Sequence, residues 1–205
     1  MRLLIATTNL GKRTEILDLL KEVTFEAVTP RELGLTFEVE ESGNTYAENV
    51  SLKAQAYCTA SGLVTLADDT GLEVDALGGR PGVHSARYVE TPGAGDSDRR
   101  AKMLQELASL PRPWTAHFHC TVAVAAPGTE IRLFAGDVFG EIVPQENGEN
   151  GFGYDRLFYI SELEKTLAAC SLEEKNRVSH RALAVKKALP YLKRLLAADS
   201  LPFSG

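Results

Sequence analysis

Five short segments hold residue types whose spacing could do phosphate or acid–base chemistry. Thr7-Thr8-Asn9-Leu10-Gly11-Lys12 follows the apolar Leu3-Leu4-Ile5-Ala6 and precedes a stretch to Lys21 in which Ile16, Leu17, Leu19 and Leu20 mark one helical face. A strand-to-helix turn is predicted here; it would offer unpaired N–H groups and a positive dipole end to an anion, with Lys12 adding a full charge. A Walker A loop is excluded, since Ala6 stands where that motif needs Gly and Arg13 where it needs Ser or Thr. The plain alternative is an Asn-capped helix with a solvated lysine. In Ala67-Asp68-Asp69-Thr70-Gly71, two carboxylates end the apolar run from Leu63 to Ala67, which is expected to be a buried strand delivering them at its carboxyl end, where α/β sheets place ligands. Neighbours on an extended chain point to opposite sides, so one Asp is expected to aim into a site and the other to brace a turn. The former could hold Mg²⁺ or act as general base on water.

The third segment, Glu38, Glu40 and Glu41, precedes a helix carrying Lys53. Polyphosphate-bound Mg²⁺ needs only one or two protein carboxylates, and Glu41 could supply one; a solvated acidic loop is the alternative. Next, Phe152-Gly153-Tyr154-Asp155 closes a Gly-rich stretch begun at Gly148. Its ring could stack on a planar base while Asp155 accepts from a base N–H, or it could be a packed aromatic in a hairpin. Lys175 with Ser179-His180-Arg181 gathers donors near a helix start, or forms a solvated basic face. His117 and His119 share a strand face without a third ligand at convincing spacing, Trp114 reads as a packing residue, and no nucleophile elbow is present.

The elements that must position these groups follow from pattern. Thr45 and Glu48 have capping-box spacing before a helix expected over 46–61 and ended by Gly62; Asp96 or Ser97 can cap a helix through Leu107. Residues 115–126 and 130–143 are rich in strand formers and joined through Pro127-Gly128, which suggests an antiparallel pair. Residues 157–160 read as a short strand. Ser171 and Glu174 repeat the capping-box spacing before a C-terminal helix that Pro190 should kink or split. The fold class is therefore α/β, with residues 1–205 taken as one domain.

Composition narrows the function. With 22 Lys+Arg against 28 Asp+Glu and a net charge of −6, a protein devoted to gripping nucleic-acid backbone is disfavoured. Three scattered cysteines without CxxC spacing suggest neither a disulfide framework nor a zinc knuckle, and fit reduced thiols. No stretch reaches the ~18 apolar residues of a membrane span, and the opening apolar run is too short for a signal peptide. A cytoplasmic location without a membrane partner is expected.

Taken together, the opening IATTNLGK, the SGNTYAEN with downstream Lys53, LADDTGLEVDALGGRPGVHSARY, FGYD and EEKNRVSHRA resemble, in order and across nearly the whole chain, the inosine triphosphatase family of XTP/dITP diphosphatases. The resemblance implies a mixed central sheet flanked by helices, two lobes with an active-site cleft between them, a homodimer, and Mg²⁺-dependent cleavage of non-canonical purine nucleoside triphosphates (ITP, dITP, XTP) to monophosphate and pyrophosphate. It places Thr7, Thr8, Asn9, Gly11 and Lys12 on a phosphate-binding loop, and Glu41 and Asp69 at metal-associated positions. Asp69 becomes the expected base, with Asp68 as second candidate. Lys53 and Thr70 match substrate-contacting positions, and Phe152, Gly153, Tyr154, Asp155, Lys175, His180 and Arg181 match residues around base and phosphates. Thr8 and Thr70 stand where the family often has Gly and Ser. The competing expectations are a related pyrophosphatase for other modified nucleotides and a nucleotide-binding sensor without catalysis.

Overall fold

A computed structural model describes residues 2–198 of the chain. The described residues form eight strands and five α-helices in the order β1 (Arg2–Ile5), α1 (Leu10–Leu19), β2 (Glu26–Val28), α2 (Tyr46–Ser61), β3 (Val64–Val74), β4 (Pro81–Gly82), α3 (Asp96–Leu107), β5 (Trp114–Ala125), β6 (Arg132–Ile142), β7 (Phe158–Ile160), β8 (Lys165–Thr166), α4 (Leu172–Val178) and α5 (His180–Ala198). The strand order is β2-β1-β3-β5-β6-β7-β8, with β4 paired to β3. β1 runs parallel to β2 and β3, whereas β3–β4, β6–β7 and β7–β8 are antiparallel, so the sheet is mixed.

Two compact units share the described residues: residues 2–69, 120–136 and 181–198 form one, residues 70–119 and 137–180 the other. In the first, β1 lacks polar alternation because both of its faces are covered. Leu3 and Ile5 pack with Ile16 and Leu20 of the α1 segment and with Ala184, Val185, Ala188 and Leu192 of α5. Leu4 and Ala6 face Val50, Ala54, Tyr57 and Cys58 of α2 instead. The second unit has its own core, in which Leu72, Val74, Met103, Leu107, Trp114, Phe118, Tyr154 and Phe158 meet.

The helix over 46–61 has the expected bounds and the full Thr45–Glu48 capping box, and it ends at Gly62 in the left-handed region. Three expectations change. β3 does not stop before the aspartates but continues to Val74, because Leu72 and Glu73 pair with Gly82 and Pro81; Asp68 and Asp69 thus lie within a strand and neither braces a turn. α3 is capped at Gly95, whose amide donates to Asp98, and Asp96 is its first helical residue. The C-terminal helix divides at extended Ser179 rather than at Pro190, which lies inside α5; the Ser171–Glu174 box belongs to the short α4. Among the described residues no helix is long and apolar enough to cross a membrane.

Candidate active site

The first unit assembles a charged cluster where β1 ends. β1 pairs with β3 as far as Ile5–Leu66, and the Ala6 amide donates to the Leu66 carbonyl at 2.8 Å, so the loop leaving β1 lies beside β3 just before Asp68. Asn9 caps α1 by accepting the Lys12 amide at 3.0 Å, and Thr7 Oγ1 accepts the Asn9 amide at 3.2 Å. The cap is as expected. Lys12, however, is not a solvated lysine, because its Nζ lies 3.1 Å from Asp68 Oδ2. Glu164 is the only non-glycine with positive φ among the described residues, so Thr8 occupies its position without backbone strain.

Asp68 is the centre of the cluster. Arg181 Nε donates to its Oδ2 at 3.1 Å, and Lys53 Nζ donates to its backbone carbonyl at 3.4 Å. Arg181 is wholly buried at the start of α5, where its second buried carboxylate partner is Glu15 of α1. Burial pushes the Asp68 carboxyl up, but Lys12, Arg181 and Lys53 outweigh it and hold the group well below the usual carboxylate range. So weak a base is poorly suited to take a proton from water. Asp68 instead draws cations into place.

Asp69, 7% exposed, accepts from Asn49 Nδ2 at 3.4 Å. Asn49 Oδ1 in turn accepts the Gly43 amide at 2.8 Å, which ties the acidic loop to α2. Gly43 permits that approach: a Cβ there would lie 2.6 Å from Glu48 Cβ and 2.9 Å from Asn49 Oδ1. Glu41 is not a merely solvated acid, since it forms an ion pair with Lys53 Nζ. Burial lowers the Lys53 pKa, but Glu41, Asp68 and Asp69 more than reverse this and keep it charged.

The second unit gathers another group of the predicted residues. Asp155 Oδ2 accepts the Phe152 amide at 2.9 Å and pairs with Lys175 Nζ at 2.5 Å; the same ammonium lies 4.9 Å from the Phe152 ring centroid. Gly151 has φ +73°, and a Cβ there would approach Asp155 Oδ2 to 2.1 Å, so the turn demands glycine. Tyr154 donates to the Ser85 carbonyl at 2.9 Å and packs in the core. His180 stacks on Phe118 with centroids 4.6 Å apart, and Thr70 lies half-buried on β3. Lys175 is buried rather than part of a solvated basic face. His117 and His119 pair with Glu73 and Asp137.

Sequence reasoning missed Asn49 and Glu15. For Asn49 a signal existed: it lies one helical turn before Lys53 on α2 and therefore on the same face. Glu15 carried none, because a glutamate three residues after a lysine on a helix is the usual pattern of a solvated pair.

Comparison with known proteins decides the family. The Ham1 family matches residues 3–191. The chain belongs to the Ham1 family. Among the relatives of this Ham1 chain, the dITP/XTP pyrophosphatase of Desulforamulus reducens is 45% identical over 95% of this chain and 97% of its own length. The dITP/XTP pyrophosphatase of Bacillus subtilis is 42% identical over 95% and 96%. Of solved structures, the Staphylococcus aureus Ham1 protein superposes with a TM-score of 0.81 at 36% identity, covering 98% of this chain and all of that one. The Ham1 protein of Coxiella burnetii gives a TM-score of 0.83 at 33% identity over 97% and 99%.

Proposed function

We propose that this chain is a Mg²⁺-dependent nucleoside-triphosphate pyrophosphohydrolase that converts ITP, dITP and XTP to the monophosphate and pyrophosphate. One observation carries the reading: Lys12, Lys53 and Arg181 converge on Asp68 beside a second buried carboxylate, Asp69, within β3 just past its parallel pairing with β1. The names of the relatives agree with it.

The donor set fits a hard cation, since Glu41 and Asp69 offer carboxylate oxygens and substrate phosphates and water would supply the remaining ligands. Among the described residues no three His, Cys, Asp or Glu side chains form a metal cluster, which suits an ion carried in with a polyphosphate rather than a dedicated protein cage. When bound there, Mg²⁺ would neutralise phosphate charge. Lys12, Lys53 and the Thr8, Leu10 and Gly11 amides of the loop after β1 take the charge on the phosphates and on the leaving pyrophosphate. Asp69 orients and deprotonates the water attacking the α-phosphorus; Asn49 holds the carboxylate in place. Asp68 holds the cations aimed.

Base recognition is assigned to the Phe152 ring as stacking surface, with Asp155 accepting from a base N–H and His180 reading the 6-oxo edge, and with Gly153, Tyr154, Lys175 and Thr70 supporting the contacts; Arg181, wholly buried between Asp68 and Glu15, is assigned to the phosphate end instead. Hypoxanthine and xanthine carry an acceptor at C6 where adenine carries a donor, so a hydrogen-bond donor aimed at that edge favours the former. The enzyme is further assigned as a cytoplasmic homodimer; its three free, buried thiols accord with a reducing compartment.

The direct test is a panel of nucleoside triphosphates assayed with Mg²⁺. ITP, dITP and XTP should exceed ATP in kcat/KM by at least ~10²-fold, within the range that hydrogen-bond discrimination supplies. Equal values for ITP and ATP would overturn the substrate assignment, and binding of ITP without turnover would indicate a sensor.

A further inference from the structure

The Phe152 turn is gripped from outside by α3. Asp96 Oδ2 accepts the Gly153 amide at 2.6 Å, and Arg100 NH1 donates to the Gly153 carbonyl at 2.8 Å. The peptides on both sides of Gly153 are therefore fixed by two side chains one helical turn apart. Arg100 is 7% exposed, and its Nε and NH2 engage the two Glu146 oxygens at 2.7 and 3.2 Å. Arg99 completes the grip: its NH2 pairs with Asp96 Oδ1 and its NH1 donates to the Ala86 and Ala94 carbonyls.

Burying an arginine carries a desolvation cost that a bidentate carboxylate only partly offsets, so such a group adds little to stability against an apolar replacement. What it does supply is direction, because its planar fork accepts only one geometry. Within the turn, the Phe152 amide donates to Asp155 and the Phe152 carbonyl accepts the Asp155 amide. With the next amide held by Asp96, both peptides flanking Phe152 are fixed and only side-chain rotation remains to the ring.

We infer that Asp96 and Arg100 are positioning residues that hold the peptides around Gly153, so that α3 sets how tightly the Phe152 ring grips a nucleotide base. The inference rests on the proposed function, in which Phe152 is the stacking surface. Neither residue touches the reacting phosphate, so their effect falls on KM and not on kcat.

The test combines kinetics with amide exchange in full-length protein. Asp96→Ala should raise KM for ITP by about tenfold, the effect of one such contact, while kcat stays within about twofold. Asp96→Asn, which keeps an acceptor oxygen for the Gly153 amide, should restore most of the affinity. In a Phe152→Ala background Asp96→Ala should change KM little further, because the two act through one ring. Hydrogen exchange in a peptide spanning residues 150–155 should accelerate in Asp96→Ala and in Arg100→Met. Faster exchange with unchanged KM would overturn the inference, as would unchanged exchange or an undiminished effect in the Phe152→Ala background. Should the wild type turn over no nucleoside triphosphate, the functional reading itself fails. The inference is then decided by the calorimetric Kd for ITP: about tenfold weaker binding in Asp96→Ala supports it and an unchanged Kd overturns it.

Discussion

Asp69→Asn should lower kcat on ITP by at least ~10²-fold, the scale of losing general-base and electrostatic assistance together. The substitution keeps the shape of the side chain and an oxygen able to accept from Asn49, so fold and nucleotide affinity measured without metal should change little. What is lost is negative charge and basicity beside the attacking water. Asp68 cannot take over, because Lys12, Arg181 and Lys53 hold its carboxyl well below the usual range despite burial. Turnover near the wild-type value would therefore contradict the assignment of Asp69 and point to Glu41, the other carboxylate assigned to the metal.

The largest stability effect is expected from Arg181→Met. Methionine fills much of the arginine's volume but leaves Glu15 and Asp68, both buried, without the cation between them. Breaking a buried charge network by removing one partner costs about 3–5 kcal/mol. The pH dependence has a definite sign. The folded-state pKa of Asp68 is depressed, so its contribution is fully present above its unfolded value of about 3.9 and is lost as pH falls toward the lower folded value. In the variant Asp68 loses a cation and takes up its proton at higher pH, so there is less charge-dependent stability to lose. Urea titrations of the metal-free proteins should show the deficit largest near pH 7 and smaller near pH 3. An equal deficit at both would mean that the cost is lost packing rather than broken charge.

Much of the architecture was legible from residue pattern. The unbroken apolar run at Leu3–Ala6 announces a strand covered on both faces, and Thr45, Glu48 and Gly62 fix both ends of α2 by local capping alone. Asp68 and Asp69 misled for a physical reason: paired aspartates before a glycine usually mark a turn, but here long-range partners satisfy both carboxylates and the strand runs on to Val74. The split expected at Pro190 falls instead at Ser179, where the α4 cap and the start of α5 meet. In the site, residue types indicated which side chains carry charge but not how they pair. The Lys12–Asp68 and Glu41–Lys53 contacts, and the Glu15–Arg181 pair separated by most of the chain, depend on tertiary placement that no local spacing encodes. Family resemblance supplied the assignment of these residues to a site, and the Ham1 match bears out the family.

The claim that water attacks the α-phosphorus is tested most directly by hydrolysing ITP in ¹⁸O-labelled water and weighing the products. The proposed roles of Asp69 on the water and of Lys12 and Lys53 on the phosphates predict IMP and pyrophosphate in equal amounts, with one ¹⁸O in the IMP and none in the pyrophosphate. Label in the pyrophosphate, or IDP and orthophosphate as first products, would contradict it.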